Sequence, residues 1–329
     1  MDFAAARFAE SLHAAWRRRA PIFEYGEVTA YRVLDGAGDG LPGVYLDRYG
    51  SAAVMNVHED ARLSQTSVTT AAQLTLDMLA PAGLEAVYVK RFARDRSRLG
   101  GRSPDESRSA APRAGRKQPE SLVVREYESR FEARLYDGHS TGLFLDHREH
   151  RRALSQRRPE RVLNLFAYTC AFAVPLAAAG ARVTNVDVSA RYLEWGRRNL
   201  ALNGLEPPAA RFVRMDAFEY LAYAARHRDE RFDLVVLDPP TFAAGDRHRG
   251  VKPWKALEDY PALLQAALRV LAPGGSIFSA SNTRELAGSG VLARLVTKAL
   301  GAAPAWQPLP PWPVDVRESG RVAAVLFTP

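Results

Sequence analysis

Cysteine is nearly missing from this chain: its 329 residues include one, Cys170. A lone thiol makes no internal disulfide, so a reducing, cytoplasmic setting is expected. Long apolar runs are missing too. No stretch approaches the roughly 20 residues that cross a bilayer, and charge interrupts the first helix-like segment before it resembles a secretory signal, so no membrane partner is expected. Metal-ligand spacing is also lacking. His147 and His150 stand three apart and His227 and His248 are isolated. Without cysteines or paired acids beside them, no zinc or other metal is expected. The last absence is of glycine. The turn Phe166-Ala-Tyr-Thr-Cys-Ala has none, which excludes the Gly-x-Gly-x-x-Gly cradle of a dinucleotide pyrophosphate.

What is present describes a globular protein long enough for two cores. Hydrophobic residues make up 47% and charged residues 25%, as in ordinary soluble domains. The formal charge is +8. That favours a polyanionic partner, although an arginine-rich chain can be basic for other reasons.

The most informative stretch runs from Arg161 to Leu205. Val162–Phe166 is an apolar run of strand length, and small residues follow at Ala167, Thr169, Cys170 and Ala171. Apolar and alanine residues continue to Ala179, Gly180 stops the helix, and a second strand, Arg182–Val186, ends at Asp187. A carboxylate at the end of a second parallel strand reaches both hydroxyls of a ribose. A ribose without a diphosphate fits S-adenosylmethionine. An ordinary strand–helix pair with a solvated Asp187 is the plain alternative.

Upstream, Phe8, Leu12 and Trp16 recur at helical spacing over residues 3–19. Short strands follow at Ala30–Leu34, Gly43–Asp47, Ala52–Val57 and Ala86–Lys90, with a helix over 66–80. Residues 90–117 hold ten Lys or Arg, among them Arg94, Arg96 and Arg98. The Ser/Pro/Gly-rich half, 103–119, predicts a mobile loop, either merely solvated or ordering on RNA phosphates. We therefore expect an α+β substrate- or RNA-binding domain over 1–120 and a sheet domain over 121–329.

In the second part, Leu122–Tyr127 and Arg130–Tyr136 read as a hairpin, and Asp146, His147 and Arg148 bunch beside Phe144. Asp146 with Arg148 suits an amino-acid zwitterion; a surface ion pair is the simpler reading. A third strand, Ala209–Arg214, leads to Asp216, placed to accept from an adenine amino group. A fourth, Phe232–Leu237, ends in Asp238-Pro-Pro-Thr-Phe242. Two prolines cannot continue a buried strand and fix a rigid corner at the carboxyl edge of the sheet. Residues 243–254 are polar, Lys252 included, and suited to cover a substrate. A fifth strand, Ser276–Ala280, helices over 257–271 and 291–300, and a last strand, Arg321–Phe327, complete the pattern.

Four stretches resemble the large-subunit rRNA methyltransferases of the RlmI and RlmK type: TGLFLDHR at 141–148, NLFAYTCAFAV at 164–174, VDVSARYLEWGRRNLALNGL at 186–205 and DLVVLDPPTF at 233–242. The third and fourth are most similar to the guanine-N7 methylating half of a fused bifunctional enzyme. Weaker similarity at 39–50 and 90–100 carries the resemblance over most of the chain. It implies an α/β fold, a seven-stranded class I (Rossmann-like) methyltransferase sheet with a smaller N-terminal α+β domain. It also implies S-adenosylmethionine as cofactor and rRNA as partner. Carried onto this sequence, Asp187 with Ser189 holds the ribose, Asp216 and Ala217 the adenine, and Phe166, Tyr168 and Thr169 the methionine moiety. Asp146 and Arg148 reach its amino-acid end. Asp238, Pro239, Pro240 and Asn282 frame the transfer site, Phe242 stacks on the base, and Arg94, Arg96, Arg98 and Lys252 contact the RNA.

The family's first turn commonly has glycine where Cys170 stands, and no PUA, THUMP or second methyltransferase domain is expected within this length. RlmI-like enzymes carry their attacking cysteine after the fifth strand. The matching stretch here is Phe278-Ser-Ala-Ser-Asn282, which disfavours cytosine C5 chemistry. Guanine N7 brings its own lone pair. A small-molecule methyltransferase, a non-catalytic RNA-binding module and an NAD oxidoreductase are the other readings weighed.

Overall fold

The computed structural model describes residues 3–23, 26–92, 105–205, 209–245, 252–318 and 320–329. The chain forms two compact units. One comprises Met1–Arg148 with Trp312–Glu318, the other Glu149–Pro311 with Ser319–Pro329.

The first unit opens with helices α1 (Phe3–Arg18) and α2 (Ala20–Phe23). Strands β1 (Ala30–Asp35), β2 (Val44–Tyr49) and β3 (Ala52–His58) follow, then α3 (Gln65–Leu79) and β4 (Ala86–Phe92). Strands β1, β2 and β3 are antiparallel neighbours, and α3 is the crossover that lets β4 run parallel to β3. Ser64 starts α3 by accepting the Ser67 N–H at 3.0 Å. Phe8 and Leu12 of α1 and Val68 and Ala72 of α3 share one apolar cluster with Val33, Leu46, Met55 and Val89 of the sheet. The stripe of α1 is core.

The segment expected to be a mobile loop is, over its described residues 105–119, tied to this sheet. Ala114–Gly115 forms strand β5 against β4. The Arg113 and Arg116 N–H groups donate to Val87 and Glu85 carbonyls, and Gln118 N–H donates to the Tyr88 hydroxyl. Gly115 has φ +88, and a Cβ there would overlap the Glu85 carbonyl. That glycine permits the close pairing. Arg94, Arg96 and Arg98 lie outside the described residues.

The hairpin β6 (Leu122–Glu126) and β7 (Ser129–Ala133) also belongs to the first unit. Val28 bridges Glu126, and the Tyr49 hydroxyl receives the Thr141 hydroxyl at 2.7 Å. These bonds move the unit's boundary from the expected residue 120 to Arg148.

The second unit begins within α4 (Arg148–Gln156) and continues as β8 (Arg161–Leu165), α5 (Ala173–Ala178), β9 (Arg182–Asp187) and α6 (Ala190–Ala201). Next come β10 (Ala210–Arg214), α7 (Ala217–Arg226) and β11 (Phe232–Leu237). A two-residue ladder, β12 (Phe242–Ala243) with β13 (Trp254–Lys255), precedes α8 (Ala256–Leu268). Then follow β14 (Leu271–Ser281), α9 (Val291–Leu300), β15 (Ala305–Gln307) and β16 (Ala323–Thr328). Strand order is β10-β9-β8-β11-β14-β16-β15. The first five are parallel, and β16 runs antiparallel to both neighbours. Order reverses between β8 and β11, the switch point beside which open α/β sheets bind ligands at their strands' carboxyl ends. Strands β8 and β11 are almost wholly buried, their apolar residues on both faces, as in parallel strands covered on both sides. The expected seven-stranded fold is present. The short edge strand β15 was not foreseen, and the fifth strand starts five residues earlier than its apolar run.

Candidate functional site

The carboxyl edge of the parallel sheet gathers the chemistry. After β8 the chain turns through Phe166–Cys170, and Phe166, Tyr168 and Cys170 all have φ between +50 and +59. Half of the six non-glycine residues with positive φ among the described residues therefore fall in this one turn. Each costs on the order of 1–2 kcal/mol in the left-handed region, and such strain concentrates where a ligand is clamped. The turn is held by Ala167 N–H on the Val186 carbonyl (3.0 Å) and Cys170 N–H on Ala167 (2.7 Å).

Asp187 ends β9 against this turn. Its Oδ2 accepts the Tyr168 N–H at 2.9 Å and its Oδ1 the Ser189 N–H at 2.8 Å. Two backbone donors orient the carboxylate and leave it lone pairs for two hydroxyls. Burial pushes its pKa up, against those same two bonds, which lower it. A half-buried acid preset by backbone donors fits a ribose diol. Ser189 is the N-cap of α6, accepting the Tyr192 N–H at 3.3 Å. The Tyr168 and Tyr192 rings meet edge-on, centroids 4.4 Å apart. Thr169 is fully buried, and its carbonyl accepts from Asn199.

Asp216 follows β10 and caps α7, its Oδ1 accepting from Phe218 N–H (2.8 Å) and Glu219 N–H (3.3 Å). Ala217 beside it is buried. After β11, Asp238 begins the proline corner and Pro239 is buried while Pro240 is exposed. The Pro240 carbonyl accepts the Trp254 indole N–H at 2.6 Å, and the Thr241 carbonyl accepts Ala256 N–H at 3.1 Å. Phe242, next in line, is 60% exposed. Asn282, just past β14, is exposed, and its Oδ1 accepts the Thr241 hydroxyl at 2.9 Å. Lys252 is exposed.

Trp254 is the residue that sequence reasoning passed over. Buried, it packs on Phe166, Phe218 and Tyr260 and so links the turn after β8 to the corner after β11. A tryptophan within a polar stretch was the available signal.

Asp146 and Arg148 lie in the first unit. Arg148 is buried and paired with Asp315, 2.6 Å between Nη2 and Oδ1. It therefore already has a carboxylate partner within the protein. Asp146 Oδ1 is buried and has no hydrogen-bond partner among the described residues, the condition an ammonium group would satisfy.

Residues 75–306 match the family model described as S-adenosylmethionine-dependent methyltransferase. The chain belongs to that family. A relative in Deinococcus radiodurans named ribosomal RNA large subunit methyltransferase is 35% identical over 283 residues, 83% of this chain and 65% of that protein. A Pseudoalteromonas translucida protein named ribosomal RNA large subunit methyltransferase K/L is 33% identical over 269 residues, 78% of this chain and 35% of its own. The chain thus spans less than two thirds of either relative. A methyltransferase structure complexed with SAH superposes with a TM-score of 0.80 at 25% identity, covering 100% of this chain and 83% of that one. S-adenosylmethionine is the family's cofactor, in keeping with the ribose-suited Asp187.

Proposed function

We propose that this chain methylates a guanine base of large-subunit rRNA at N7 by direct transfer. When bound, S-adenosylmethionine supplies an electrophilic methyl group. Asp187 holds its ribose, Asp216 its adenine end, and Phe166 and Tyr168 flank the methionine moiety. Asp238 and the two prolines fix the corner against which the target base is placed, with Phe242 as stacking surface. Guanine N7 carries its own lone pair and no proton, so the corner needs neither a nucleophile nor a strong base.

The state of the thiol carries the reading. Cytosine C5 methylation needs a thiolate that adds to the ring. Cys170 is the chain's one cysteine; it is buried, and desolvation first, then the charge of Asp187, push its pKa well up. Burial thus favours the thiol over the thiolate, and the residue sits in the turn after β8. The end of β14 offers Ser281 and Asn282 instead.

The test uses the purified chain, labelled S-adenosylmethionine and an unmodified large-subunit rRNA transcript, followed by nucleoside mass analysis. Labelled 7-methylguanosine is expected. Labelled 5-methylcytidine, or label in no nucleoside, overturns the proposal.

A further inference from the structure

Resting on the guanine-N7 reading, we propose that Thr241 locks the Asn282 side chain as a hydrogen-bond donor that selects guanine over adenine through O6.

An asparagine amide presents a carbonyl on one side and an NH2 on the other, and a neighbouring group decides which faces outward. Here the Thr241 hydroxyl donates to Asn282 Oδ1 at 2.9 Å. That bond turns the carbonyl toward Thr241 and leaves Nδ2, a pure donor, for a ligand. The lock is itself held. Thr241 is bracketed by the Trp254–Pro240 bond, the Ala256–Thr241 bond and the ladder pairing Phe242 with Lys255 and Ala243 with Trp254. Asn282 is fixed from below, where Thr283 N–H donates to the Ser281 hydroxyl and the Thr283 carbonyl accepts from Leu286 and Ala287.

The consequence for recognition follows from the purine edge. Beside N7, guanine shows the O6 acceptor and adenine the N6 amino donor. A fixed NH2 meets O6 favourably and meets an N6 amine as donor against donor. Phe242, the adjoining exposed ring, holds either purine equally well, because stacking does not read the edge. Discrimination therefore falls to the amide. Thr241 acts through Asn282 and is a positioning residue.

The experiment compares wild type, Thr241→Val, Thr241→Ser and Asn282→Asp on paired transcripts carrying guanine or adenine at the site that wild type modifies. It reads kcat and KM for each, with SAH binding by calorimetry as a control. Wild type is expected to favour guanine by at least 10-fold in kcat/KM. Thr241→Val should lose most of that ratio through a higher KM for the guanine transcript at unchanged SAH affinity, and Thr241→Ser should restore it. Asn282→Asp, an acceptor only, should shift the ratio toward adenine. An unchanged ratio in both Thr241→Val and Asn282→Asp, with wild type still producing 7-methylguanosine, overturns this proposal and leaves the N7 reading standing. A wild type that makes 5-methylcytidine overturns both.

Discussion

Cys170 occupies the space that a side chain at position 196 would need. Gly196, in the middle of α6, faces the Cys170 sulfur, and a Cβ on it would overlap that sulfur and come within 2.9 Å of the Cys170 Cβ. Glycine inside a helix costs about 1 kcal/mol relative to alanine. Here that cost is the condition for a cysteine in a left-handed turn directly after β8.

The two positions should therefore be coupled. Gly196→Ala alone is expected to destabilise the protein by about 1–3 kcal/mol through overpacking, despite its helix propensity. Cys170→Gly should relieve the positive φ, and in the double variant most of the Gly196→Ala penalty should vanish. A double-mutant cycle from urea unfolding checks this; additive effects would break the link.

Asp187 predicts an acid limit to cofactor binding. The proposed hydroxyl-accepting role requires the carboxylate, and burial raises its pKa from the ordinary aspartate value. Affinity for S-adenosylmethionine should fall on acidification, at a higher pH than an unperturbed aspartate would give. Calorimetry across pH 4.5–8 reads the fall. Asp187→Asn should bind weakly throughout, with that pH dependence gone.

The turn after β8 also shows how far sequence reasoning reached. The order of the parallel strands, and the position of Asp187, Asp216 and the proline corner at their carboxyl ends, were legible, because each rests on local periodicity or on an acid or proline that ends a strand. The Asn282–Thr241 bond was not, since those residues are brought together by strands β11 and β14 pairing across 41 positions. Nor was β5. Its two residues have no periodicity, and only the backbone pairing with β4 distinguishes them from the loop that their composition suggests.

Lys90 is almost wholly buried, its Nζ donating to the His139 carbonyl at 3.3 Å. Desolvation pushes its pKa down to about 7, against the favourable charges of Asp137 and Asp47. The folded value lies below the unfolded one, about 10.4 for a free lysine. Between the two, the unfolded chain binds the proton that the folded one lacks, so stability should rise as pH goes from about 7 to about 10. Lys90→Met should stabilise the protein most below pH 7, by a few kcal/mol, with the gain shrinking at alkaline pH. Thermal unfolding at pH 6 and pH 10 distinguishes this from a pH-independent packing effect.

Asp315 accepts from the Arg32 backbone N–H at 2.8 Å and from the Arg148 guanidinium, and it is fully buried. Asp315→Ala strands a buried arginine and should cost about 3–5 kcal/mol. Removing both charges, with Arg148→Met and Asp315→Leu, should cost much less. Equilibrium unfolding of the single and double variants reads the difference.

Residues 312–318 give that pair a further meaning. The chain enters the first unit, leaves it at Arg148, returns at Trp312 and departs again after Glu318. On the ribosome, Arg148 emerges 167 residues before Asp315, the acid that neutralises it. The amino-terminal half must therefore wait, incompletely folded, for its last stitch, and no single scissor cut would free either half intact.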